Sequence, residues 1–215
     1  MKKQAIKRVR GRPRLHQEKD TRNALLLAAI ELFGERGFDG VSLSQVADQA
    51  GGDVALIRYY FGSKKDLWQG CIDHLSQLLE SETLEVISQE YDSETDRLKA
   101  VVRWFVDMSA KWPQVSRIIV FEGNNPGSRG QYVIEKLVGP FYAGLSQLIK
   151  AAKAEGSISD VDPRTLFFMI THGGSFPMAL PVLTNSLPGG DIGKTSNLKN
   201  HAQSIIDLIF VDIEK

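Results

Sequence analysis

The stretch from Val41 to Leu67 reads VSLSQVADQAGGDVALIRYYFGSKKDL and gathers side chains suited to one kind of chemistry, the recognition of a base-paired polyanion. Arg58 carries a planar guanidinium that can donate to O6 and N7 of guanine, and Val54 and Leu56 offer apolar surface to thymine methyl groups. Ser42 and Ser44 stand at or near the start of a short helix, where hydroxyls and free backbone N–H groups can hold phosphate. A second cluster, Arg10-Gly11-Arg12-Pro13 followed by Arg14, sets arginines on a slim backbone that fits a narrow, A·T-rich minor groove. Charge agrees with this reading. Residues 1–22 carry nine basic and two acidic groups, 9 − 2 = +7, while the whole chain is neutral, so the remainder carries −7. A basic end on an acidic body points to a polyanion partner at one pole.

Other chemistries find little support. GGDIGKTS at 189–196 brushes against the P-loop pattern, but Pro188 takes the place of the first glycine and no strand precedes it. The four histidines (His16, His74, His172 and His201) show no metal-ligand spacing. There is no G-x-S-x-G elbow and no nucleophile–base pair. Neither metal, cofactor nor catalysis is expected. Cys71 is the one cysteine, which rules out an intrachain disulfide and fits a reducing compartment. No apolar run approaches the ~20 residues of a membrane span. No signal-peptide-like segment follows the N-terminal charges, so a cytoplasmic location is expected.

The elements that would position these groups are helical throughout. Ser42 with Gln45 makes the S-x-x-Q capping box, and Leu43, Val46, Ala47 and Ala50 fall on one face of the helix it opens. Gly51 and Gly52 end that helix. Asp53 caps the next, with Ile57 and Phe61 turned inward, and Ser63 caps a third. A helix, a glycine turn and a second helix is the geometry that lays one helix in the major groove. Upstream, the spacing predicts a flexible basic arm over 1–19 and a helix from about Thr21 to Arg36. Downstream it predicts helices over about 64–90, 94–111, 113–123, 131–155 with a kink at Gly139-Pro140, 162–179 and 197–213. The fold class is all-α, and apolar content of 42% is enough for a real core.

The segment from Thr21 to Leu67 closely resembles the DNA-binding domain of the TetR family of transcriptional regulators. Phe33, Gly37, Phe38, Ser42, Val46, Ala47, Ala50, Gly51, Ile57, Tyr60, Phe61, Ser63, Lys64 and Leu67 match its pattern. Gly52 departs from the usual Val, Val54 and Leu56 stand where a polar residue is common, and Arg58 replaces a frequent Tyr. The resemblance implies that Val54, Ala55, Leu56, Arg58 and Tyr59 face DNA, and that Tyr60 and Lys64 reach phosphate. RGRP resembles the core of an AT-hook, adding Arg10, Arg12 and Arg14 to the expected contacts. The implied division is an arm over 1–19, a three-helix helix-turn-helix domain over 20–66, and a helical ligand-binding and dimerisation bundle over 67–215.

In such a body the last helices would pair two subunits, with Gly173-Gly174-Ser175 admitting a partner helix, so that a homodimer meets a palindromic operator on double-stranded DNA. A pocket for a small-molecule effector of unknown identity is expected at Trp104, Phe105, Met108, Phe121, Glu122, Phe168, His172 and Phe176, aromatic walls with a few polar groups. The run WPQVSRIIVFE is similar to members that sense small nitrogenous metabolites such as pyrimidines. The expected function is a sequence-specific transcriptional repressor released by its effector. The competing reading is an architectural A·T-rich DNA-binding protein without ligand sensing.

Overall fold

The computed structural model describes residues 15–210. Among them the elements run α1 Leu15–Arg36, α2 Leu43–Gln49, α3 Val54–Phe61, α4 Lys64–Ile87, α5 Glu94–Lys111, α6 Pro113–Glu122, α7 Ser128–Val133, a π-helical segment Ile134–Val138, α8 Gly139–Ala154, α9 Pro163–Ala179, α10 Pro181–Asn185 and α11 Thr195–Ile209. An isolated antiparallel bridge joins Ile158 to Phe210. No helix among the described residues is long and apolar enough to cross a membrane.

Local chemistry accounts for most of these boundaries. Ser42 and Gln45 form the reciprocal box: the Gln45 N–H donates to Ser42 Oγ at 3.2 Å and the Ser42 N–H to Gln45 Oε1 at 2.8 Å. Ser63 and Asp66 repeat the device at α4, and Asp162 caps α9 ahead of Pro163. α2 ends in a Schellman motif. The Gly52 N–H donates to the Ala47 carbonyl at 2.8 Å and the Gly51 N–H to that of Asp48 at 3.2 Å, while Gly51 takes φ +66°, a left-handed conformation open to glycine at no steric cost.

Three expectations are revised. α1 begins at Leu15, so 15–19 of the expected arm are helical; the run LHQEKD consists largely of good helix formers. The predicted helix over 131–155 starts at Ser128 and is interrupted by the π-helical segment ahead of Gly139-Pro140. The last loop contains the short α10, which opens on Pro181.

Two cores result. The first joins Leu25, Ile30 and Phe33 of α1 to Ile57 of α3 and to Leu67, Trp68, Ile72 and Leu75 of α4, and takes in Val115 and Ile118 of α6 and Val133 and Leu137 beyond it. The second packs Leu98, Val102 and Val106 of α5 against Leu145 and Ile149 of α8, Phe167 and Ile170 of α9, and Ile205 and Ile206 of α11. α6 therefore leans on the first core while standing beside the second. Its Gln114 packs on Gly34, 2.9 Å from where a Cβ would lie, and its Phe121 ring lies 3.2 Å from the same position on Gly37. At this junction the Tyr132 hydroxyl donates to Asp73 of α4 at 2.6 Å. Burial, then the hydrogen bond and charge of Asp73, push the Tyr132 pKa up to about 12.

Candidate nucleic-acid interface and ligand cavity

α3 is an eight-residue helix fastened at both ends. Asp53 Oδ1 accepts from the Ala55 N–H at 2.9 Å, and the Gly62 N–H donates to the Arg58 carbonyl at 3.1 Å. Ile57 is wholly buried and holds the helix to the core. On the opposite side Ala55 and Arg58 are exposed, and Tyr59 is 74% exposed with its ring edge-on to Tyr60. Ser42 and Ser44 at the start of α2 are exposed as well.

Other expected contacts are placed differently. Val54 and Leu56 are half-buried and pack on the first core, so their apolar surface is shared with the protein interior. The spacing explains it: Val54 stands three residues before Ile57 and lies on its face, and Leu56 reaches across the turn to within 3.8 Å of the Cβ position of Gly52. Tyr60 is half-buried against the same core. The Lys64 ammonium sits 4.4 Å from the centroid of the Phe38 ring, a cation–π contact that holds it against the domain. Arg10, Arg12 and Arg14 lie outside the described residues.

The helical body contains a cavity of about 410 Å³ between α4, α5, α6, α8 and α9, within the range of roughly 300–1,000 Å³ of small-molecule sites. Six of the eight expected pocket residues line it: Trp104, Phe105, Met108, Phe168, His172 and Phe176. Phe121 and Glu122 do not. They lie on another face of α6, with Phe121 against Gly37 in the loop after α1 and Glu122 against Arg129, although Phe121 directly follows the lining residue Val120. Glu122 is buried and ion-paired with Arg129, whose guanidinium also bonds Asp39 and lies 4.3 Å from the Phe38 ring centroid.

Sequence reasoning missed Phe141, Phe167 and Ser175, which complete the wall, and the contribution of α4. The α4 signal was present: Ser76, Leu79, Glu80 and Thr83 recur at i, i+3, i+4 and i+7 and all four line the cavity. The Gly173-Gly174-Ser175 run is also divided between two faces. Gly174 packs beneath Phe105, 3.0 Å from its Cβ position, and Ser175 is buried, whereas Gly173 is exposed with nothing within 4 Å of its Cβ position. Only Gly173 is left to admit a second helix. Among the described residues no group of His, Cys, Asp or Glu is arranged to hold a metal ion.

A bracketed helix presenting polar side chains outward, set on a larger helical body with an internal cavity, defines a helix-turn-helix regulator. Residues 25–71 match the family model of bacterial regulatory proteins, tetR family, and residues 95–209 match that of the tetracyclin repressor-like C-terminal domain. The chain belongs to the TetR family and is a DNA-binding transcriptional regulator. It is 26% identical over 195 residues to the HTH-type transcriptional regulator RutR of Escherichia coli strain K12, covering 86% of this chain and 89% of RutR. It is 27% identical over 149 residues to the HTH-type transcriptional repressor NicS of Pseudomonas putida, covering 68% and 70%. The fold is shared with HlyIIR, a hemolysin II transcriptional regulator (TM-score 0.68, 20% identity, 91% of this chain and 99% of that one). It is shared too with AibR in complex with isovaleryl coenzyme A and operator DNA (TM-score 0.71, 18% identity, 88% and 98%).

Proposed function

We propose that the protein is a cytoplasmic repressor that binds a palindromic operator as a homodimer and lets go when a small molecule fills the cavity of its helical body. On this reading the arm and helix-turn-helix domain end near residue 66, and the body begins with the remainder of α4. Arg58 and Tyr59 read or brace the duplex from α3, Ser42 and Ser44 hold phosphate at α2, and Tyr60 and Lys64 add backbone contacts. Arg10, Arg12 and Arg14 enter the adjacent minor groove. The observation that carries the reading is α3 itself: Ile57 is fully enclosed while Arg58 and Tyr59 beside it stand in solvent.

Dimerisation is supported by an unpartnered apolar face. Met169 of α9 and Leu208 of α11 are exposed, Gly173 has open space above it, and Phe168 and Phe176, which line the cavity, are also partly exposed at its rim. Two helices from each subunit would bury this face in a four-helix interface and set two recognition helices about one DNA turn, ~34 Å, apart. Release is supported by the position of α6, which lines the cavity with Ser116, Ile119 and Val120 and abuts α1 through Gln114 and Phe121. A ligand that prefers one placement of α6 shifts the population of α1–α3 placements by its differential affinity for the two.

Selection of bound fragments from random DNA with the purified chain tests this reading. The expected result is a short inverted repeat whose binding weakens steeply with salt and is reduced in Arg58→Ala. Uniform A·T-rich coverage without a repeat would leave the architectural alternative in its place.

A further inference from the structure

The cavity walls carry unequal amounts of free polar chemistry, and this restricts what can fill them. Of the hydroxyls around it, three are committed to backbone carbonyls: Ser76 donates to Lys136 O at 2.9 Å, Thr83 to Leu79 O at 2.7 Å and Thr171 to Phe167 O at 2.8 Å. Two are not. Ser116 of α6 and Ser175 of α9 line the cavity and make no hydrogen bond among the described residues. Ser175 is 6% exposed and lines the cavity, so its hydroxyl is open to whatever fills that space, where an acceptor would gain a hydrogen bond.

Charge is absent from the depth of the cavity. Glu80 and Lys136 are the lining groups that carry full charge, and both are exposed; Lys136 is also paired with Asp73 at 3.8 Å. His172 is exposed as well. Glu122, the buried carboxylate of the body, is turned away and neutralised by Arg129. A ligand charge drawn inside would lose its hydration and gain no buried counter-ion. The rest of the wall is largely aromatic and aliphatic, with Trp104, Phe105, Phe141 and Phe167 from three helices in ring contact; the Trp104 indole N–H is a further buried donor without a partner among the described residues.

We infer that the cavity takes an uncharged, mainly apolar molecule, flat enough to lie among these rings, bearing a carbonyl-type acceptor that accepts a hydrogen bond from the Ser175 hydroxyl, with Ser116 and the Trp104 indole N–H as further donors in the same wall. The inference rests on the effector reading above for its biological sense, and on the cavity alone for its chemistry. It disfavours anions, which would find no buried counter-ion, and pyrimidines, which carry donors and acceptors on several edges against a wall with few polar groups.

Four probes separate these classes: 2-acetonaphthone, 2-ethylnaphthalene, 2-naphthoate and uracil, titrated calorimetrically into the full chain. The ketone is expected to bind about tenfold more tightly than the hydrocarbon and at least about tenfold more tightly than the anion or uracil. In Ser175→Ala the ketone should lose most of its advantage, while the hydrocarbon stays within about twofold of its original affinity, which shows that the cavity persists. Ser116→Ala should have a smaller effect in the same direction. Tightest binding of 2-naphthoate or uracil, binding of none of the four, or a ketone preference untouched by Ser175→Ala would overturn the assignment. Operator affinity measured in parallel keeps the two claims apart. Ketone binding without DNA release refutes the effector reading and leaves the ligand class standing; DNA release by an anionic metabolite does the reverse.

Discussion

Arg129 and Glu122 meet at 3.0 Å, Nε to Oε1, where the helical body abuts the loop after α1. The carboxylate is almost wholly enclosed, while the guanidinium keeps a quarter of its surface in solvent and extends to Asp39 and the Phe38 ring. Removing the arginine therefore strands a buried charge, whereas removing the charge from the glutamate does not.

That asymmetry is measurable. Arg129→Met should cost about 2–4 kcal/mol in urea unfolding, somewhat below the usual figure for a fully buried pair because the arginine is partly exposed. Glu122→Gln should cost about 1–2 kcal/mol, and the double variant should recover part of the Arg129→Met loss. Equal losses for the two single variants would show that the pair behaves as a surface bridge.

Arg58→Ala should weaken operator binding by about 1–3 kcal/mol and relax selectivity at one base position. The side chain is exposed and its truncation opens no cavity, so the melting temperature should stay within about 2 °C of the parent. Competition binding against single-base operator variants, beside a thermal melt, reads both quantities. Selectivity preserved at every position would remove Arg58 from base readout.

His74 of α4 gives a pH dependence. Burial, and secondarily the charge of Arg22, lower its pKa below the ordinary imidazole value near 6.5. The unfolded chain then binds the proton more readily than the native one. Stability should fall as pH drops through the window below 6.5 and return as pH rises. His74→Gln should flatten this slope in urea titrations between about pH 7 and 5. A steeper slope in the variant would contradict the assignment.

Cys71 is fully buried, with its Sγ 3.8 Å from the Leu26 carbonyl, and burial pushes its thiol pKa up. It should resist a disulfide reagent in the native protein at about pH 8 and react once urea exposes α4. Rapid labelling of the native protein would mean that α4 leaves α1 far more often than the packing suggests.

Much of the fold was legible because its boundaries are written locally. The bounds of α5 and the start of α6 follow from Lys111-Trp112-Pro113, and α9 from Asp162-Pro163. The π-helical segment was not legible: IEKLV carries no local mark, and the displaced hydrogen bonds there depend on what Leu137 must reach. In the interface, the exposure of Arg58 and Tyr59 followed from Ile57 pointing inward. Val54 packs partly on the core beside Ile57, a placement that its i−3 spacing carried in plain view. The cavity was half legible. Aromatic residues mark a wall equally well whether it encloses a void or is filled, and only the tertiary arrangement separates Phe168, which faces the void, from Phe121, which does not.

The single turn of π-helix at Ile134–Val138 is equivalent to one residue more than a regular helix needs. It lets Val133 and Leu137 address one core and Leu145 and Ile149 the other along what is nearly a single rod. Losing one amino acid there would close the turn into regular α-helix and keep the two halves in their present phase. Losing one within Gly139–Ala154 would instead turn everything downstream by about 100° and carry Leu145 and Ile149 away from their core. A change of length is thus tolerated in this one turn and not beside it.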